Sequence, residues 1–566
     1  MRLSDAIAAY ERANLDEHGP LATAGFSAFY RSGQGLAVSR IAPVTEEGNE
    51  EAAAFCRRFL TQLDELDGSA LEGQERLSLA VLRSAIERRE AASRYYWYEP
   101  CVTPYRSFIG TFRSIFRAFD VESDEARTRY LAVIRDVGLY ARAVRAKVAG
   151  QVERGIVLPR RAIPPIVALH RAAVDAVRSP FLPPPEKLAV LDETLRARFL
   201  NDAQNAIRTE VSPALQELAD DLAGAYLAAA SDTIGQSSYP GGAGYYDYLV
   251  RANTTLDLDA KTIHERGLST VDALRNSMAE QRERLGFRGS APEFHFSLRH
   301  DARFVPTRAE QIGDRLELFA RRADDVMPAL FSKKPSAPFG VKRLPPDLEG
   351  GMTFGYYQPG AKAGETGYYI YNGSKLEERS LLSLASLALH ELVPGHHYEI
   401  SISRENESLP RFRAFQSIST YIAAYHEGWA EYAADLGKEL GIYEDPYDLY
   451  GRYALDIFIS SRLVVDTGLN ALGWSLERAA EFMRTNTLMS ETEIDSELLR
   501  YATDLPAQSL SYKLGSLTFA DLREKARTQL GSAFDVRAFH ERIVQNGGMP
   551  LTLVKAEIDR FIGGDR

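Results

Sequence analysis

Cysteine is nearly absent: the 566 residues include two, Cys56 and Cys101. Two thiols cannot make a disulfide framework, and no CxxC or Cys/His knuckle spacing accompanies them, so both are expected to be reduced core thiols. Long apolar runs are also missing. No stretch reaches ~18 uncharged apolar residues, and Met1 to Ile7 lacks the apolar segment and small-residue cleavage site of a secretory signal, so no membrane partner and a cytoplasmic location are expected. Charge of one sign is nowhere blocked. The 67 basic and 78 acidic residues are mixed along the chain and sum to −11, which argues against a nucleic-acid surface or an anionic-membrane anchor.

What is present is the composition of a folded chain, 45% hydrophobic and 26% charged, which excludes extended disorder. From about 46 to 230 apolar residues recur at helical spacing, as in Ala52, Phe55, Phe59, Leu60 and Leu63. Pro159, Pro164, Pro165 and the Pro180 to Pro185 cluster interrupt that pattern where helices should end. The Gly-rich break from Tyr239 to Gly244 suggests a division: residues 1–240 as a helical wall of a cleft, residues 241–566 as the region carrying the site. Between about 336 and 373 aromatic and β-branched runs, including Met352 to Tyr357 and Gly367 to Asn372, predict short strands. A long buried helix is predicted from about Leu376 to Val393. The expected fold is mainly α, with a small β-sheet beside that helix.

The helix ends in His390-Glu391-Leu392-Val393-Pro394-Gly395-His396-His397. Three imidazoles and a carboxylate closing an apolar helix need partners, and a divalent metal supplies one. Zinc peptidases place two histidines at i and i+4, with a Glu after the first to take a proton from the attacking water. Pro394 occupies the i+4 position here. If Pro394-Gly395 forms a bulge, His396 takes the second ligand position; if the helix only kinks, His397 does. A third ligand is offered by Glu427, in a segment surrounded by Tyr421, Ile422, Tyr425, Trp429 and Tyr432. Glu431 lies one turn further on the same face, placed to orient an imidazole.

HELVPGHH at His390 to His397, with EGWAEY at Glu427 to Tyr432, resembles the bacterial family of unknown function numbered eight hundred and eighty-five, whose pattern is HExxPGHH then EGWAxY. Further similar stretches run from Tyr245 to Gly267, Arg462 to Met483 and Glu497 to Gly515. The resemblance implies a zincin-like helical metallopeptidase fold with a deep cleft, grouped with thimet oligopeptidase, angiotensin-converting enzyme and the Taq-type carboxypeptidases. It implies one zinc ion on two histidines and a downstream Glu. Asn470 stands where the family usually has His.

The expected function is zinc-dependent hydrolysis of short peptides, of carboxypeptidase or oligopeptidase type. Glu391 is the expected base and Tyr512 the expected oxyanion donor. Arg462, Arg500 and Lys513 are candidates to recognise a substrate carboxylate. Substrate backbone is expected along an edge strand at Gly367 to Asn372, which includes Tyr369. The alternative is a peptide-binding protein that kept the fold and lost turnover, with Asn470 in its favour and Glu391 against it.

Overall fold

A computed structural model describes residues 2–22, 25–33, 35–349, 354–416 and 420–564. Helices dominate, as the apolar spacing predicts, and among the described residues none is long and apolar enough to cross a membrane. The hydrophobic cores do not follow a division at residue 240. The largest one joins Tyr10, Cys56, Phe59 and Leu82 to Trp429, Phe519 and Phe561. Helices Glu46–Asp64 and Gly73–Ser93 therefore bury their apolar stripes against the late half of the chain. Buried Arg413 helps fasten that crossing, donating to Gln74 Oε1 at 2.8 Å and Ser78 Oγ at 3.2 Å. A second core, with Phe112, Tyr130, Ile134 and Leu215, is built almost wholly from residues 28–230.

Strands β1 (Phe339–Arg343), β2 (Gly355–Gln358) and β3 (Gly367–Tyr371) form one sheet in the order β1-β3-β2. β1 runs parallel to β3 and β2 antiparallel to it. This corrects the expected edge strand: β3 is paired on both sides, so its backbone is closed to a further strand, and β2 is an edge. Met352 and Thr353 of the predicted strand run lie outside the described residues.

The predicted helix from Leu376 to Val393 is shorter than its apolar pattern. It spans Leu384–Glu391, preceded by a 3₁₀ turn at Leu376–Glu378. Ser380 Oγ accepts from the Leu382 N–H, and the Leu381 N–H donates to the Phe304 carbonyl. Those bonds satisfy the backbone outside a helix, a competition that leucine spacing does not reveal.

Candidate metal centre

The His390 helix stops at Glu391, the Val393-Pro394 peptide is cis, and a new helix opens at His396 and runs to Glu405. The chain turns sharply between them. A Cβ on Gly395 would collide with the carbonyl oxygens of Leu389 and His390, so only glycine fits there. Trp429 Nε1 donates to the Pro394 carbonyl at 3.0 Å and holds the turn against the Glu427 helix (Ala423–Asp435).

The turn brings His396, rather than His397, to His390. Their rings lie 4.9 Å apart and nearly perpendicular. Both Nε2 atoms face Glu427 Oε2, at 3.6 Å from His390 and 3.4 Å from His396. Ligand atoms of His390, His396 and Glu427 all fall within 4.8 Å of one another. His397 faces away: its Nε2–H donates to the Ala337 carbonyl at 3.0 Å, and its Nδ1 accepts from the Tyr357 hydroxyl at 2.9 Å. Burial pushes its pKa down to about 4. His396→Ala is accordingly expected to weaken zinc binding at least about 10²-fold, while His397→Ala changes it less than about threefold, measured by competition with a chromophoric chelator. The reverse ranking would place His397 on the metal.

Behind the ligands lies a buried charge network. Glu431 Oε1 is 2.9 Å from His390 Nδ1, and Glu431 Oε2 accepts from Arg452 at 2.9 Å. Arg452 also approaches Asp456, which accepts from Lys513 at 2.6 Å. Lys513 is thus engaged structurally and does not line the cavity. Burial disfavours the charged forms of Glu427 and Glu431, but the imidazoles, with Arg452 beside Glu431, outweigh it and hold both carboxyls well below the usual range. The same carboxylates raise the His390 pKa to about 9 against its burial.

Two imidazole nitrogens and a carboxylate oxygen are a donor set that suits zinc in hydrolases. The ligand atoms of His390, His396 and Glu427 lie within 4.8 Å of one another where the residues border the cavity, close enough for one ion to reach all three.

The centre opens on a cavity of about 1000 Å³ lined by Glu391, Tyr369, Tyr357, Arg462, Arg500 and Tyr512 among others. Of the first 240 residues, only Tyr105 among those described lines it, so the early helices contribute little of the expected wall. Tyr512 reaches the site because the Glu427 and Tyr512 helices cross at two glycines. A Cβ on Gly428 would strike Gly515, and the converse. The Tyr512 ring lies parallel to that of His390 at 6.2 Å. Arg462 donates to Glu497 at 3.1 Å and Arg500 to the same carboxylate at 2.6 Å.

Asn470 lies elsewhere. Its Nδ2 donates to Asp466 and to the Tyr501 carbonyl, and its Oδ1 accepts from the Gln236 N–H. Asp466 in turn accepts from Tyr246, Ser509 and the Ala507 N–H. The position is a structural knot joining the stretches 245–267, 462–483 and 497–515. Sequence reasoning missed Glu399 and His426, whose Oε1 and Nδ1 lie 2.7 Å apart behind His396. Their spacing was a usable signal, since Glu399 falls one turn after His396 and His426 adjoins Glu427.

Two solved structures share this fold. One, described as "the putative lipoprotein from Colwellia psychrerythraea", is 21% identical, with a TM-score of 0.86 over 99% of each chain. Another, described as "a putative lipoprotein of unknown function from Shewanella oneidensis", is 17% identical, with a TM-score of 0.73 over 98% of this chain and 99% of that one. No curated protein matches. The family described as "Bacterial protein of unknown function (DUF885)" matches residues 29–558, and the chain belongs to that family.

Proposed function

We propose that this protein is a zinc-dependent hydrolase of zincin-like fold that cleaves short peptides in a deep cleft. The convergence of His390, His396 and Glu427 beside Glu391 carries the reading. Bound there, zinc would acidify a water and polarise the scissile carbonyl. Burial raises the Glu391 pKa above the usual carboxylate range while His390 and His396 pull against it, which suits a group that takes a proton from water and delivers it to the leaving nitrogen. Burial also raises the Tyr512 pKa, so its hydroxyl stays protonated and able to donate to a developing oxyanion.

Edge strand β2 borders the cavity through Gly355, Tyr356 and Tyr357, and offers its backbone to an extended peptide. Tyr105, Phe354, Tyr356 and Tyr421 are large rings left exposed around the same cavity, and suit apolar substrate side chains. Asn470 is bonded within the fold and does not line the cavity, which supports retained turnover over the peptide-binding alternative. We place the protein in the cytoplasm, which two free cysteines fit. The lipoprotein descriptions of similar structures are the reason to check this by fractionation. Cleavage of a peptide library by the zinc-loaded protein, abolished by chelator and restored by zinc, is the expected outcome; chelator-insensitive cleavage, or none, would contradict it.

A further inference from the structure

Building on the peptidase reading, we propose that Arg404 recognises a carboxylate of the substrate at the Gly360 end of strand β2. Arg404 lies eight residues after His396 on the same helix, about 12 Å along its axis and about 80° around it. Side chains of a helix lean back towards its N-terminus, so the guanidinium comes within about two or three extended residues of the ligands, at ~3.3 Å per residue. It lines the metal cavity.

Its bonding is incomplete. One Nη donates to the Gly360 carbonyl, and the guanidinium lies 5.0 Å from the Phe415 ring centre. Nε is buried without an acceptor, and among the described residues no carboxylate pairs with Arg404. Of the described arginines around the cavity, Arg404 is the one with a buried nitrogen left without an acceptor. Arg462 and Arg500 share Glu497, Arg379 donates to the Ser374 carbonyl, and Arg299 sits exposed, bonded to the His295 carbonyl. Glu399 and Glu365 act on this partly buried guanidinium only at a distance, and an incoming carboxylate would complete it by charge-assisted hydrogen bonds. The peptide carboxylate comes from the C-terminus or from an acidic side chain.

The test uses zinc-loaded Glu391→Gln protein, which should bind substrate without turning it over. Calorimetry compares a tetrapeptide of alanine and leucine as free acid, as C-terminal amide, and as amide with one aspartate. The free acid or the aspartyl amide is expected to bind about 10- to 100-fold more tightly than the plain amide, and which one does so identifies the source. Adding Arg404→Gln should bring the ratio to about one, while Arg404→Lys keeps part of it. Circular dichroism and zinc content check that the variants fold.

Equal affinity for all three peptides overturns the proposal and needs no Arg404 variant. A preference that survives Arg404→Gln, or that is lost in Arg500→Gln instead, overturns it as well. Failure of the wild-type protein to cleave any peptide would remove the peptidase reading, and is scored separately because binding is measured without turnover.

Discussion

Glu391→Gln protein is expected to keep its zinc and to cleave peptides about 10²- to 10⁴-fold more slowly than wild type. The amide has the shape of the carboxylate but cannot take up the proton. Glu391 lines the cavity beside His390, yet it is not one of the three groups whose ligand atoms converge. Folding should not suffer, because burial disfavours the Glu391 charge and glutamine carries none. Kinetics and zinc content measured on the same preparation separate the cases. A wild-type rate would remove Glu391 as the base, whereas a lost rate with lost zinc would place it among the ligands.

Changing a ligand should act differently. His390→Ala or Glu427→Ala is expected to lower zinc affinity by well over about 10²-fold, and with it all cleavage. Glu431→Gln should cost only the ~10- to 100-fold typical of a group that orients a ligand. The difference follows from placement. His390 and His396 both aim Nε2 at Glu427, while Glu431 stands on the Nδ1 side of His390 and is itself fixed by Arg452. Chelator competition on the three variants measures it. If Glu431→Gln lost zinc as completely as Glu427→Ala, Glu431 would be a ligand.

Much of this centre is legible in the sequence because the chemistry is local. His390, Glu391, Pro394, Gly395 and His396 lie within seven residues, and the rings of Tyr425, Trp429 and Tyr432 around Glu427 announce a carboxylate set against a packed core. The choice between His396 and His397 is not legible, since it depends on the carbonyls that crowd Gly395 and on the bonds Tyr357 and Ala337 make with His397.

The strands are legible as segments, but their order is not. Pairing of β1 with β3 across the intervening β2 is a non-local choice that alternation within a strand does not encode. The break at Tyr239 to Gly244 is likewise a turn into the helix Gly242–Thr254 rather than a boundary between cores, because Tyr10 packs on Phe412 and Phe59 shares a core with Trp429. The partners of the cations are not legible for a related reason. Arg462, Arg500 and Lys513 stand in distinctive motifs, yet they are paired by Glu497 and Asp456, whereas Arg404 has no such partner among the described residues and stands in no motif.

The most direct measurement is the metal content of the purified chain after zinc reconstitution and removal of excess ion. About one zinc per chain, absent from the His390→Ala protein, is the expected result for two imidazoles and a carboxylate gathered on one point. Less than about a tenth of an equivalent in the wild-type protein, or an equal amount in the variant, would contradict it.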